Sequence, residues 1–364
     1  MARPHLLVDI SAHGFGHLAQ VAPILNELQL LQPALRLTVR SGLPPEILLA
    51  RLHGEFDHIA QRSDFGFVML DAVRIDHAAT AAAYRAQHAN WPQRVADEAR
   101  LLSRLHPDLV LTDVAYLPLA GAALAGIPSL SMCSLNWAEL FAYFFGDEAW
   151  ATPIHDQMLA AYSSAECFLR LTPAMPMTDL PRVRDIAPVA ALGRDCRASL
   201  RKQLACPPDE KIVLVAFGGI NKQLPVECWP RSNGVRWLVP ESWGIEQSNM
   251  TALETLRLPF TDLLRSVDAL LTKPGYGAFT EAACNGTPVL YLRRDDWPEQ
   301  DCLIDWLKIN NRCREVDEGE LASGQLQVAL DDLWQQPIPP APLPAGAKEA
   351  AAFMADRLEH EKAR

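Results

Sequence analysis

The sequence contains no cysteine pair at C-x-x-C spacing, although it holds eight cysteines in 364 residues. Scattered thiols in a chain this long read as buried or free groups in a reducing compartment, not as a disulfide framework. The expected location is therefore cytoplasmic. Positive charge is also in short supply, with 33 Lys and Arg against 44 Asp and Glu, a formal charge of -11. That argues against a nucleic-acid partner, and none is expected, because neutralising a phosphate backbone needs clustered Lys and Arg. A small phosphorylated ligand is not excluded, since a few backbone N–H groups and one or two cations can hold it. No unbroken apolar run is long enough to cross a membrane. Residues 115–135 lack any charged residue, but Pro118, Gly121, Gly126 and Pro128 interrupt them, so they read as a buried helix leading into a strand. The first five residues run straight into an apolar strand, with no visible signal peptide.

What is present is an ordinary globular composition, 49% hydrophobic and 21% charged. The length favours two domains. Short apolar runs alternate with helical spacing. Strands are expected at 5–10, 35–40, 109–112 and 129–132, with helices at 17–31 and 118–125. The same alternation restarts near Lys211: strands at 212–217, 235–239, 268–272 and 289–292, and helices at 260–267 and from Thr280. Such alternation implies parallel strands joined by crossover helices, a doubly wound α/β sheet in each half. The expected organisation is an N-terminal domain over 1–170, a Pro- and Arg-rich connection over 171–208 and a second domain over 209–335. A Pro-rich break and a final helix over 336–364 would return toward the first domain.

Five segments can carry chemistry. Ser11-Ala-His13-Gly14-Phe-Gly16-His17 lies between the first strand and first helix, where glycines permit close approach and the helix N-terminus offers N–H groups. It lacks the third glycine and the second-strand acid of a dinucleotide site, which disfavours NAD. His17 sits at the ligand-binding edge of such a sheet. The helix dipole is expected to lower its pKa and favour a neutral base; packing in the turn is the alternative, and His13 reads as structural or a ligand contact. Asp113, after the third of these strands, can orient His17, or can cap the next helix. Lys273-Pro-Gly275-Tyr276-Gly277-Ala278-Phe279-Thr280-Glu281 joins a strand to a helix. Its glycines and the amides from Gly277 to Phe279 suit a phosphate, Lys273 adds a charge, and Glu281 is placed in the first helical turn to meet ribose hydroxyls. The run from Arg293 to Asp301 can meet sugar hydroxyls or be a solvated loop. Gly218-Gly219 heads the second sheet as a further phosphate loop, or an ordinary turn. Asp295-Asp296 has no nearby His to complete a ligand set, and no metal is expected.

These residues resemble the UDP-glycosyltransferases. The block from Lys273 to Gln300 looks like that family's donor motif: a Gly six residues before a Glu, Gly286-x-Pro288, a strand, then Glu299-Gln300. The resemblance implies a GT-B fold, two Rossmann-like domains facing across a cleft, with Glu281 on the ribose and Glu299 and Gln300 on the donor sugar. The family's diphosphate-binding His is replaced by Lys273, and two extra residues precede Glu299. Gly16-His17 is similar to the family's Gly-His, whose His is the catalytic base, and Thr112-Asp113 with Gly126-Ile-Pro128 is similar to the strand carrying its Asp partner. The segments Asp-Leu-Val-Leu-Thr-Asp, Ser-Leu-Asn-Trp and Lys-Pro-Gly-Tyr-Gly also resemble the glycosyltransferase-like region of plant L-arabinokinases; the kinase domain is missing, so sugar phosphorylation is not implied.

The expectation is an inverting, metal-independent glycosyltransferase without a cofactor, taking a nucleotide sugar, most simply a UDP-sugar, and an acceptor alcohol. Asn136 and Trp137 are candidates for the acceptor wall, residues 239–243 for base recognition, and the uncharged stretch leaves room for a lipid-linked acceptor and peripheral membrane contact. The alternatives are a nucleotide-sugar hydrolase or 2-epimerase of the same fold, and a nucleotide-sugar-binding protein without turnover. Gln20 stands where that hydrolase type has Arg.

Overall fold

A computed structural model describes residues 3–218, 224–229, 234–244 and 247–362. Gly219 falls outside these residues. The chain divides into two compact units: Met1–Leu70, Ile75–Val189 and Ala345–Arg364 form the first, and Asp71–Arg74 with Ala190–Pro344 the second.

The first unit is built on a seven-stranded parallel sheet. Its strands are β1 (His5–Ile10), β2 (Arg36–Ser41), β3 (Asp57–Ile59), β4 (Leu109–Asp113), β5 (Ser129–Cys133), β6 (Cys167–Leu171) and β7 (Val183–Ile186). Their order is β3-β2-β1-β4-β5-β6-β7, so the winding reverses between β1 and β4. Every residue of β1, β4 and β5 is buried, as expected of central strands covered on both faces by crossover helices. The charge-free stretch resolves into the helix Leu117–Ala125, a left-handed C-cap at Gly126 and strand β5. No helix among the described residues is long and apolar enough to cross a membrane.

The second unit holds β8 (Lys211–Val215), β9 (Val235–Val239), β10 (Met250–Ala252), β11 (Ala269–Thr272), β12 (Val289–Leu292) and β13 (Cys313–Val316). They run parallel in the order β10-β9-β8-β11-β12-β13, and the winding reverses between β8 and β11. Trp229, Trp237 and Trp243 pack with the strand residues in one core cluster. Trp243, expected at the base-recognition stretch, is thus a core residue and not an open stacking platform.

The segment expected to be a connection, 171–208, is more structured than its composition suggests. It contributes β7 to the first sheet and the helix Arg197–Gln203 to the second unit, and the division between units falls after Val189. The C-terminal helix Gly346–Lys362 packs on the helix Phe15–Leu31 within the first unit, tied by Gln32 to Glu359 and by the Ala187 N–H to Glu349.

Candidate functional site

In an open parallel sheet the crevice for ligands opens beyond the strand C-termini where the winding reverses. In the first unit that point is occupied by His17 and Asp113. Ile10, the last residue of β1, pairs in register with Asp113, the last residue of β4. His17 lies in the first turn of the helix Phe15–Leu31 that leaves β1. Its Nδ1 is 3.3 Å from Asp113 Oδ1 and 3.1 Å from Oδ2. The Cys133 Sγ, from the end of β5, stands 3.9 Å from the same nitrogen. Asp113 does not cap the following helix, whose N-cap is Tyr116.

His17 is only 6% exposed. Burial opposes its charge, but the charge and hydrogen bond of Asp113, aided by Cys133, outweigh burial and hold the imidazole well above its ordinary pKa. The expected lowering by the helix dipole is therefore overturned. A dipole end acts as roughly half a charge spread over several N–H groups, whereas the carboxylate is a full charge in contact.

Asp113 is held by a backbone that carries strain. Val114, the next residue, has φ 67, a left-handed conformation that a β-branched side chain rarely adopts. Such a residue costs on the order of 1–3 kcal/mol and persists only where its surroundings over-determine it. Here the Val114 N–H donates to Met132 O, and the Tyr162 hydroxyl donates to Val114 O while accepting the Trp137 N–H.

The residues 63–67, Ser-Asp-Phe-Gly-Phe, form a wall that the sequence reading missed. Ser63 donates to Asp9, which pairs with the buried Arg40, and Arg40 in turn pairs with Glu98. Asp64, 8% exposed, accepts from Ser11 Oγ at 3.1 Å and from the Trp137 indole Nε1 at 2.8 Å. It forms no ion pair among the described residues. Burial and the neighbouring Asp9 charge push its pKa up to about 6. Gly66 has φ 62, and a Cβ there would come within 2.8 Å of His13 and 2.9 Å of Trp137. Only glycine fits both the backbone and the space.

Trp137 is fully buried, and its ring meets His13 at 5.3 Å and His17 at 5.8 Å between centroids. It backs the two imidazoles and is not an exposed acceptor wall. Asn136 is corrected more fully. Its Oδ1 accepts the Glu139 N–H at 2.8 Å and caps the helix Trp137–Phe145, and it is buried. His13 presents its ring nitrogen Nε2 to Phe67 O at 3.2 Å. Gln20 accepts the Ser134 N–H and braces the segment after β5.

In the second unit the winding reverses between β8, which leads to the exposed Gly218, and β11, which leads to Lys273. The helix Tyr276–Asn285 follows with Gly275 as N-cap, and a side chain at Gly275 would meet nothing nearer than 4.0 Å. Two expectations are corrected here. The Phe279 N–H donates to Gly275 O, so the amides without a helical acceptor are those nearer the helix start, among them Gly277 and Ala278, and not Phe279. Glu281 lies in the second helical turn, not the first, and is 1% exposed.

Gln300 is likewise engaged locally. Its amide oxygen accepts the Arg294 N–H and its amide nitrogen donates to Arg294 O, so both ends brace the loop after β12. Glu299 accepts the Trp297 indole N–H at 2.9 Å. What this bracing presents is Arg294, read in the sequence only as part of a run that meets sugar hydroxyls or solvent. Its guanidinium stacks 3.7 Å over the Trp297 ring, it is 6% exposed, and its Nε has no hydrogen-bond partner among the described residues. Burial, then the nearby Arg294 charge, pulls the Lys273 amine down to about 7, with Glu299 opposing. Two partly desolvated cations without an ion pair among the described residues are a site prepared for an anion.

No protein-family model matches the chain. The L-arabinokinase of Arabidopsis thaliana is 25% identical over 340 residues, which is 87% of this chain and 31% of that protein. The chain therefore spans about a third of the relative it matches. Solved structures align over nearly the whole chain. The calicheamicin glycosyltransferase CalG4 gives a TM-score of 0.62 at 16% identity, covering 99% of this chain and 95% of that one. UGT89C1 of Arabidopsis thaliana, solved with UDP, gives 0.60 at 16% identity, covering 98% of each. The glycosyltransferase of kitacinnamycin gives 0.59 at 17% identity, over 99% and 96%. The fold is GT-B. At these identities the likeness establishes architecture alone, and chemistry has to be argued from the residues.

Proposed function

We propose that the protein is an inverting glycosyltransferase that moves a sugar from a nucleotide diphosphate donor to an acceptor hydroxyl. The observation that carries this reading is the His17–Asp113 pair at the winding reversal of the first sheet. With Nδ1 committed to Asp113, the proton of the neutral ring resides there, and Nε2 has no hydrogen-bond partner among the described residues. Nε2 takes the acceptor's proton as its oxygen attacks the anomeric carbon, and Asp113 stabilises the imidazolium that forms. The same carboxylate also holds the resting ring protonated, so the base form is reached only as pH climbs through the raised His17 pKa. No metal is required for this step.

The second unit grips the donor. Lys273, Arg294 and the N–H groups of Gly277 and Ala278 neutralise the leaving diphosphate, and Glu281 receives the ribose hydroxyls. The neighbour solved with UDP supports a uridine donor. Glu299 and Gln300 act on the sugar indirectly in this reading, by holding Arg294 and Trp297 in place.

The test is incubation with a panel of nucleotide sugars, alone and with fractionated cell extract, following nucleotide release. Release that needs extract and is lost in His17→Ala and Asp113→Asn is expected. Release without acceptor would make the protein a hydrolase. Nucleotide-sugar binding that is unchanged in His17→Ala, with no release under either condition, would sink the enzymatic reading.

A further inference from the structure

We infer that His17, Asp113 and Cys133 form a capture site for a thiophilic divalent cation, zinc above all, and that its occupancy switches His17 off as a base. The consequence rests on the reading above; the capture itself does not.

The three donors come from neighbouring strands of one sheet: His17 follows β1, Asp113 ends β4 and Cys133 ends β5, with β1, β4 and β5 adjacent. All three are buried, and their ligand atoms lie within 4.8 Å of one another. One nitrogen, one carboxylate oxygen and one thiolate make a set that suits zinc, and three protein ligands with a fourth position open are its usual arrangement at reactive sites.

The distances agree with that set. Zinc takes nitrogen and oxygen at about 2.0–2.1 Å and sulfur at about 2.3 Å, so tetrahedral ligand edges run about 3.3–3.6 Å. The His17 Nδ1 to Asp113 Oδ1 edge is already 3.3 Å. The Nδ1 to Sγ edge, 3.9 Å, is a few tenths of an ångström longer than such an edge. As a hydrogen bond the Nδ1 to Oδ1 contact is slightly long, since such contacts ordinarily run about 2.7–3.2 Å when no sulfur is involved. Asp113 Oδ2, 3.1 Å from the same nitrogen, is buried without a properly directed hydrogen-bond partner among the described residues.

Charge closes as well. The cation binds the thiolate, the carboxylate and the ring nitrogen, and the thiol proton and the imidazolium Nδ1 proton leave to solvent. The two positive charges then meet two negative ones, so a buried neutral core replaces a buried ion pair. Asp64 adds negative potential near His17. His17 alone of the three donors keeps any exposed surface, so water or a substrate oxygen is expected to supply the fourth ligand from its side.

Metal on Nδ1 displaces the proton that Asp113 held there. The ring proton then resides on Nε2, which becomes a donor and can no longer accept from a hydroxyl. A base has been turned into its opposite without any change of fold.

Cobalt(II) titration of the whole protein tests capture. A thiolate-to-cobalt charge-transfer band saturating at a single equivalent is expected, and it should vanish in both Cys133→Ser and His17→Ala, whose folding is checked by circular dichroism. No band, or a band that survives both substitutions, overturns the site. Zinc titration of nucleotide release tests the consequence. Inhibition reversed by chelator is expected, with Cys133→Ser raising the half-inhibiting zinc concentration by about 10-fold or more, the scale of losing one ligand. Zinc that stimulates release, or inhibits Cys133→Ser equally, overturns the switch. If the protein proves to have no turnover, the cobalt band still decides the capture.

Discussion

Asp64→Asn is expected to stabilise the protein and slow it at the same time. Asp64 is a carboxylate 8% exposed, with two neutral donors and no counter-cation among the described residues. Burial, followed by the Asp9 charge, raises its pKa from 3.8 to about 6. For an acid whose pKa is raised by folding, the associated stability is fully present below the unfolded pKa and is lost as pH climbs through the folded one. The shift of about 2 units corresponds to about 3 kcal/mol of penalty once the group is fully ionised. Near pH 5, where the folded carboxyl is mostly protonated, linkage leaves about half of that penalty, so wild type loses about 1.4 kcal/mol relative to Asn between about pH 5 and about pH 8.

The amide keeps the shape and one acceptor, and Ser11 can reverse its hydroxyl to accept from the new NH2. Against this stands roughly 1 kcal/mol for a poorer hydrogen-bond set. Urea unfolding of both proteins at the two pH values measures the difference, and titrating groups common to both cancel. The advantage of Asn should widen with pH. A difference that is flat, or that favours Asp at the higher pH, would refute the claim that the fold keeps a costly anion here. If the stabilised variant also releases nucleotide more slowly at unchanged nucleotide affinity, the carboxylate is retained for positioning Trp137 and the Ser11 turn, in keeping with the usual exchange of stability for function.

Gly66→Ala should cost on the order of 1–3 kcal/mol, because its φ of 62 and the 2.8 Å approach to His13 leave no place for a methyl group; thermal melting checks it. Tyr162→Phe removes the hydroxyl that satisfies both the Trp137 N–H and Val114 O, and should cost about 1–3 kcal/mol while reducing turnover more than donor binding. Nucleoside diphosphate affinity, measured by calorimetry, should weaken as pH rises through about 7, because the Lys273 amine, lowered first by burial, loses its proton there. Lys273→Met should bind weakly at every pH and lose that dependence; an unchanged pH profile would remove Lys273 from the grip. Gln300→Ala orphans the Arg294 N–H and carbonyl together, so donor affinity should fall although Gln300 need touch no ligand.

What the sequence revealed and what it concealed divide by the range of the interaction. The central strands of both sheets were legible because they are continuous apolar runs, and the two ligand loops because glycine and a helix start mark them locally, whereas β3, β6, β7, β10 and β13, toward the sheet edges, were not read. The His17–Asp113 pair spans 96 residues, yet the topology rule that puts both at a strand C-terminus made it reachable. Asn136 was misplaced although a local signal existed: Asn-Trp-Ala-Glu has the spacing of a helix cap, and the structure shows Asn136 and Glu139 bonded in both directions. Asp64 had no such signal. Its partners are 53 and 73 residues away, and nothing in Ser-Asp-Phe-Gly-Phe distinguishes it from a loop acid. The His17 pKa failed for the same reason in reverse. The dipole was local and therefore visible, while the carboxylate that outweighs it arrives from another strand at 3.1 Å. A helix end contributes about 0.3–1 kcal/mol to a nearby charge, which a buried carboxylate in contact exceeds severalfold. The titration of a buried group is therefore set by whichever strand end the topology brings beside it, and only after the strand order is known can its direction be assigned.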